Sequence, residues 1–208
     1  MLKGTFPIDK FKAITTPFYY YDIELLKETL HIVRNEADKY GYHVHYAVKA
    51  NANPRILSII AESGLGADCV SGGEVQRAID AGFSADKIVY AGVGKSDREI
   101  LLALQYDIFC FNVESVPELY VINELAGKVG RVARVCLRIN PDVEAHTHTH
   151  IVTGMAENKF GIALSDMMFV VNVARELENI SFVGLHFHIG SQITNMYDYV
   201  ALCQRIND

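Results

Sequence analysis

The stretch "HYAVKANANPRILSIIAESG" (residues 45–64) joins an apolar, strand-like run to an amphipathic helix, with a lysine, Lys49, between them. Asn53 and Pro54 supply a helix cap and a first-turn proline, and Gly64 is placed to end the helix. A cationic side chain at the end of a buried strand is costly unless it gains a partner or loses its charge. Lys49 is therefore the first candidate for chemistry.

The same alternation of strand and helix recurs along the chain. Apolar runs predict strands at residues 43–48, 66–70, 87–92, 107–112, 134–140 and 182–190. Capping-box spacing predicts helix starts at Ser71 with Glu74, Ser96 with Glu99, and Ser115 with Glu118. Ser165 opens a further predicted helix, and an earlier one runs from about Asp22 to Gly41. Strands this continuously apolar suit a parallel sheet covered by helices.

Six strands, each followed by a helix or the start of one, predict βαβ units. An open doubly wound sheet and a (β/α)8 barrel both fit, and the even spacing of the first four strands favours the barrel. A glycine-rich dinucleotide or P-loop motif is missing, which disfavours the nucleotide-binding alternatives. A closed barrel needs eight units, so we expect a TIM-type barrel truncated after about six, with the sequence stopping in a helix at residues 197–208.

Composition and charge narrow the class of protein. The chain has 208 residues, 50% of them hydrophobic, and a formal net charge of -6 without a long basic run. This disfavours nucleic acid and anionic membranes as partners. The N-terminus lacks the features of a signal peptide, and no segment is apolar for long enough to span a bilayer. The cysteines form no CxxC pair and are interpreted as buried thiols in a reducing compartment: Cys69, Cys110, Cys136 and Cys203. We therefore expect a cytoplasmic protein.

The chain is expected to divide into two parts of very different size. Residues 1–21 are interpreted as a lead-in strand region, and residues 22–208 as the partial barrel domain. The tyrosines within residues 18–22 are expected to form an early strand that packs against a C-terminal β-domain outside this sequence. Left uncovered, they would form an exposed apolar patch.

Charged and polar side chains stand at the carboxyl ends of four predicted strands. They are Lys49, Asp68, Arg138 and His188. Each has an ordinary explanation by itself: a solvated lysine, a turn cap, an ion pair of Arg138 with Asp68 or Asp142, and a core histidine. Carboxyl ends of parallel strands gather at one edge of a sheet, where α/β enzymes place their active sites. Taken together, the four predict a catalytic site.

A lysine in an apolar frame can supply the free amine that forms a Schiff base with an aldehyde. That aldehyde could belong to a sugar-like substrate, as in a lysine-dependent aldolase, or to pyridoxal phosphate (PLP). The second option needs a flat group for the pyridine ring and donors for a phosphate. The segment "HIGSQ" (residues 188–192) offers an imidazole and a Gly-Ser turn that can hold an anion.

Several blocks resemble the diaminopimelate decarboxylase family, whose members are PLP enzymes with the alanine-racemase-like barrel fold. The blocks are "YAVKAN" (46–51), "GLGADCVSGGEVQRAIDAGF" (64–83), "GKSDREI" (94–100), "LRINPDVEAHTHTHIVTGMAENKFGI" (137–162) and "GLHFHIGSQI" (184–193). The resemblance runs from about Thr16 to Thr194. "YAVKAN" is shared in some form by related decarboxylases and racemases, whereas the block "NPDVEAHTHTHIVTG" (140–154) favours diaminopimelate.

The resemblance implies roles for five residues. Lys49 would be the Schiff-base lysine, and Asp68 its counter-ion when no cofactor is bound. His188 would stack on the cofactor ring and Ser191 would bond its phosphate. Asp68 and Arg138 would line the cofactor pocket. Lys49 and His188 are accordingly the predicted catalytic residues, and all five are predicted to contact PLP.

The resemblance also implies a reaction: decarboxylation of meso-2,6-diaminopimelate to L-lysine and carbon dioxide, in a homodimer. The family's glycine-rich phosphate segment, its "EPGR"-type motif and its C-terminal β-domain are not found in this sequence. We therefore expect the 208-residue chain alone to be inactive. The alternatives are a decarboxylase of ornithine, arginine or carboxynorspermidine type, and a non-catalytic PLP-binding barrel. An aldolase is disfavoured, because it leaves "HIGS" without a role.

Three further signals have simpler explanations. The alternating histidines His146, His148 and His150 suggest a metal site, but no cysteine or carboxylate follows at ligand spacing, and we predict no metal. The "SGGE" segment (71–74) is interpreted as a helix cap, because a carboxylate there would oppose a phosphate. Lys159 is interpreted as a loop charge beside the pocket.

Overall fold

The computed structural model describes residues 4–141, 160–191 and 193–207. The helices are α1 (Ile8–Phe11), α2 (Ile23–Asp38), α3 (Pro54–Glu62), α4 (Gly72–Asp80), α5 (Asp97–Tyr106), α6 (Val116–Lys128), α7 (Met167–Glu176) and α8 (Tyr197–Asn207). The strands are β1 (His45–Ala47), β2 (Gly66–Cys69), β3 (Ile88–Tyr90), β4 (Cys110–Val113), β5 (Ala133–Asn140), β6 (Ile162–Ala163) and β7 (Ile180–His186). None of the helices in these ranges is long and apolar enough to cross a membrane.

The strands form one parallel sheet that does not close. Its order is β1-β2-β3-β4-β5-β6, and β7 pairs with β5. Within the described residues, β1 and β7 each pair on one side only. All pairs are parallel, and each long strand is followed by a helix, which confirms the predicted partial barrel. The two-residue strand β6 was not predicted, because it is too short to show a hydrophobic period.

The caps read from the sequence explain where several helices begin. The Asn53 side chain accepts from the Arg55 N–H at 3.0 Å, with Pro54 as the first helical residue of α3. Gly64 follows that helix with φ +84°, a conformation that favours glycine at this position. The start predicted at Ser165 is wrong by two residues. Residues 164–166 form a 3-10 turn, and α7 begins at Met167.

Only one of the three predicted capping boxes is reciprocal. The Glu99 carboxylate accepts from the Ser96 N–H at 3.1 Å, as a capping box requires. In the other two, the glutamate carboxylate accepts from the backbone N–H of the residue before the cap, and not from the cap residue itself. Glu74 accepts from Val70 at 2.8 Å, and Glu118 accepts from Glu114 at 2.8 Å. The second of these bonds ties α6 to the site described below.

The two faces of the sheet differ in polarity. Along β5, burial alternates strictly: Val135, Leu137 and Ile139 are fully buried, whereas the residues between them are partly exposed. The buried set belongs to one apolar core together with Leu119 and Ile122 of α6. The other face carries polar side chains, so burial against the helices fixes which residues of each strand are left for chemistry.

The N-terminal segment is held to α2 without forming a strand. Asp22 caps α2 by accepting from the Leu25 N–H at 3.1 Å, and it also accepts from the Thr5 N–H at 2.6 Å. The Tyr20 ring packs on Phe11 with centroids 4.9 Å apart. Residues 18–22 are outside every strand of the described chain, so the early strand expected there is not formed. The division of the chain between residues 21 and 22 stays a prediction.

Candidate active site

Lys49 lies in a 3-10 turn (Val48–Ala50) that directly follows β1. Its side chain is exposed, so the desolvation argument drawn from the sequence does not apply to it. Asp68 in β2 is in register with Ala47, two residues before the lysine. Burial raises the pKa of Asp68, and the Lys49 charge lowers it in part. No ion pair within 4 Å joins the two in the described chain, so the predicted counter-ion acts only through space.

Arg138 in β5 pairs with a carboxylate that the sequence analysis missed. Its Nη1 lies 3.0 Å from both oxygens of Glu114, and the two side chains are only 11% and 4% exposed. Glu114 also accepts from the Gly92 N–H at 3.1 Å. The suggested pairing with Asp68 is therefore wrong, and Asp142 lies outside the described residues.

The segment after the undescribed residues packs against Arg138. The guanidinium carbon is 5.8 Å from the centroid of the Phe160 ring. Gly161 has φ +87°, and a Cβ there would lie 3.0 Å from the Arg138 carbonyl oxygen. Only glycine fits this approach without strain. Arg138 is thus fixed by a carboxylate directly after β4 and by a close backbone approach from another segment.

A second missed group is Lys95, in the loop between β3 and α5. Its side chain is 1% exposed, and its Nζ lies 2.5 Å from Glu118 Oε1 on α6. The same ammonium donates to the carbonyls of Gly92 and Asn112, at 2.7 and 2.9 Å.

Two histidines, one at the end of β7 and one just past it, lie at the same carboxyl edge of the sheet. His186, the last residue of β7, is in register with Arg138. Its Nδ1 is buried and has no hydrogen-bond partner in the described structure. Burial lowers the pKa of His186 to about 4, helped by the charges of Arg138, His188 and Lys95. His188 lies two residues past the strand and is half-buried, and Ser191 follows Gly190, whose φ is +133°.

The cysteines are free thiols, as expected, but the burial expected for all four is found only for two of them. Cys69 and Cys110 are buried, and burial raises the pKa of Cys69. Cys110 and Cys136 share the polar face of the sheet, with their sulfur atoms 3.7 Å apart. Cys203 is exposed.

A cavity of about 360 Å³ lies at the opposite, amino end of the strands. His45, Gly66, Lys87 and Phe109 are among its lining residues, and none of the predicted site residues is. We place the candidate site at the carboxyl edge, because the buried ion pairs and unbonded polar atoms gather there. Two groups from the sequence analysis, the three histidines of residues 146–150 and Lys159, fall outside the described residues, so their interpretation stays a prediction.

A sheet of this topology with a lysine and buried charges at its carboxyl edge is typical of enzymes that bind a cofactor in a barrel mouth. Residues 25–208 match the family described as pyridoxal-dependent decarboxylase, pyridoxal binding domain. The chain belongs to this family.

Relatives and solved structures agree with that assignment. The chain is 63% identical to a diaminopimelate decarboxylase of Bacteroides thetaiotaomicron, over 100% of this chain and 54% of the relative. It is 41% identical, with a TM-score of 0.87, to the Helicobacter pylori diaminopimelate decarboxylase complexed with L-lysine, over 96% of this chain and 50% of that one. It is 40% identical, with a TM-score of 0.74, to the M. jannaschii diaminopimelate decarboxylase in complex with L-lysine, over 84% of this chain and 43% of that one. The chain spans about half the length of the relatives it matches.

The residues at the carboxyl edge fit PLP, the cofactor that the family implies. Asp68 Oδ1 and His186 Nδ1 are buried without hydrogen-bond partners in the described structure. Unsatisfied buried polar atoms are costly, and a polar ligand is one way to satisfy them. An exposed lysine amine beside them provides the group that a pyridoxal aldehyde requires. The donor set and the family assignment therefore agree.

Proposed function

We propose that the protein carrying this chain is a PLP-dependent carboxy-lyase that converts meso-2,6-diaminopimelate to L-lysine and carbon dioxide. The observation that carries the proposal is the carboxyl edge itself: an exposed Lys49 amine beside Asp68, and an Arg138 fixed by Glu114. The names of the relatives at 63% and 41% identity support this substrate over other amino acids.

Five residues are proposed to hold the cofactor. Lys49 is the amine that would bond its aldehyde, and His188 would lie against its ring. Ser191 would donate to the phosphate, in a turn whose Gly190 has φ +133°. Asp68 and Arg138 would line the pocket between them. Bound PLP supplies a sink for the electron pair that remains when carbon dioxide leaves.

The protein's own contribution is to fix geometry and charge around that site. Arg138 presents a permanent positive charge whose position is set by Glu114. His186 stays neutral at physiological pH, because burial and nearby cations oppose its protonation. The exposed position of Lys49 leaves its amine accessible for exchange with the amino group of a substrate.

We further propose that the protein acts as a homodimer in the cytoplasm and that the 208-residue chain by itself is inactive. The support is the family resemblance, together with free thiols of the kind kept in reducing compartments. The open edges of β1 and β7 support the inactivity of the chain alone, because unpaired strand edges need partners.

The proposal is tested with the full-length protein, PLP and candidate substrates. Release of carbon dioxide from meso-diaminopimelate is expected to exceed release from L-ornithine or L-arginine, and to be abolished in Lys49→Ala. A matched variant, Lys39→Ala, removes an exposed lysine at the end of α2 that pairs with Glu36 at 2.6 Å, and it should keep full activity. Faster release from L-ornithine or L-arginine would show that meso-diaminopimelate is not the preferred substrate. Binding of PLP without release from any of the three would favour a non-catalytic barrel.

A further inference from the structure

Two buried ion pairs at the carboxyl edge are joined into one cluster. The first pair is Lys95–Glu118, at 2.5 Å, and the second is Arg138–Glu114, at 3.0 Å. The two glutamates are linked directly, because Glu118 Oε2 accepts from the Glu114 backbone N–H at 2.8 Å. We call these four residues the buried charge cluster.

The charges of the cluster are balanced, and its four residues are connected through hydrogen bonds to Gly92 and between the two glutamates. It holds two cations and two carboxylates, so no net charge is buried. Gly92 is bound from both sides: its carbonyl accepts from Lys95 at 2.7 Å, and its N–H donates to Glu114 at 3.1 Å. Glu114 is therefore restrained at its backbone by Glu118 and at its side chain by Gly92, and both restraints lead back to Lys95.

From this connectivity we infer that Lys95 is a positioning residue for Arg138, acting through Glu118, Gly92 and Glu114. The inference rests on the proposed place of Arg138 in the cofactor pocket. Lys95 itself does not pair with Arg138. Its ammonium fixes the carboxylate of Glu118 and the carbonyl of Gly92, and these fix the carboxylate that holds the guanidinium.

An ion pair on α6 offers a matched control. Lys128 and Glu124 lie 2.5 Å apart, the same separation as Lys95 and Glu118, but their side chains are 60% and 65% exposed. Exposed pairs of this kind contribute little to stability, whereas removing one partner of a buried pair leaves an uncompensated charge. Lys95→Met and Lys128→Met therefore remove the same interaction in opposite surroundings.

The first measurement uses the full-length protein without PLP, labelled with ¹⁵N and ¹³C in arginine. Rotation of the Arg138 guanidinium about its Nε–Cζ bond is followed by NMR, with the resonance assigned through Arg138→Lys. We expect slow rotation in the wild type and in Lys128→Met, and rotation at least about tenfold faster in Lys95→Met, because a fixed carboxylate bound to Nη1 by a charge-assisted hydrogen bond restrains the guanidinium. Unchanged rotation in Lys95→Met would overturn the inference.

A second variant serves if Lys95→Met fails to fold. Lys95→Met combined with Glu118→Gln leaves neither residue of this pair as an unpaired buried charge. The amide introduced at position 118 accepts from the Glu114 N–H more weakly than a carboxylate does. Faster Arg138 rotation is expected here too, and wild-type rotation would again contradict a positioning role.

The loaded enzyme supplies an independent readout. In the folded variant, kcat for meso-diaminopimelate is expected to fall at least about tenfold with little change in KM, as for a misplaced pocket group. An unchanged kcat would overturn the inference. If the wild type released no carbon dioxide while Arg138 rotation still depended on Lys95, the proposed function would fail and the positioning role would stand.

Discussion

Arg138 and His186 lie side by side, in register, at the ends of the neighbouring strands β5 and β7. Burial is the main cause of the low pKa of His186 and the Arg138 charge is the next, and the pKa falls to about 4. A permanent cation and a neutral histidine thus share one edge of the sheet. The pairing is set by strand register, which the apolar face of β5 fixes by packing on the helices.

The depressed pKa of His186 makes the fold sensitive to acid. An unfolded histidine binds a proton near pH 6.5, whereas folded His186 does so only near pH 4. Protonation of this histidine therefore does not affect the free energy of unfolding above about pH 6.5. It lowers that free energy by up to about 3 kcal/mol as the pH drops to 4. Urea unfolding between pH 7 and 4 is expected to show a shallower acid loss in His186→Gln. His31→Gln, at an exposed position of α2, should follow the wild type. Parallel curves for wild type and His186→Gln would contradict the assignment.

Breaking the Arg138 pair should cost far more than breaking a similar pair nearby. Glu114→Gln leaves a buried guanidinium without its carboxylate and is expected to cost about 3–5 kcal/mol of unfolding free energy. Arg134, on the same strand, pairs with Asp107 at 2.8 Å, with side chains 34% and 56% exposed. Asp107→Asn should cost less than about 1 kcal/mol, because that pair is solvated. Equal losses in denaturant unfolding would show that burial does not set the strength of the Arg138 pair.

Gly161 is expected to be intolerant of a side chain because of its contact with Arg138. A Cβ would lie 3.0 Å from the Arg138 carbonyl oxygen and 3.2 Å from its Cγ. Gly82 has a similar φ, +95° against +87°, but nothing within 4 Å. Gly82→Ala therefore reports the conformational cost alone, about 1 kcal/mol. Gly161→Ala should lose roughly 1–3 kcal/mol more through overpacking. The contact would be unimportant if the two alanine variants unfolded at the same urea concentration.

The strand ends could be read from the sequence because they depend on local patterns. Continuous apolar runs give the strands, and a polar residue that ends such a run stands out, as with Lys49, Asp68 and Arg138. The helix starts at Pro54 and Gly72 follow from caps within a few residues of them. Alternation in "LHFHIG" also placed His186 on the same strand as His188, although only the second was chosen as a site residue.

The buried charge cluster could not be read in the same way. Lys95 lies in a loop, and its partner Glu118 is 23 positions away. Glu114 and Arg138 are 24 positions apart and meet only because β4 and β5 are neighbours. Glu118 fits a local capping pattern, which concealed its long-range role. Such pairs are set by tertiary packing, and a single sequence carries no local signal for them.

Lys49 is proposed to be the amine that bonds pyridoxal. The most direct measurement is to incubate the full-length protein with PLP, reduce it with borohydride, and locate the pyridoxyl group by peptide mass spectrometry. We predict a single labelled lysine, Lys49, and no label in Lys49→Ala. Labelling confined to another lysine, or none in the wild type, would show that Lys49 does not bond the cofactor.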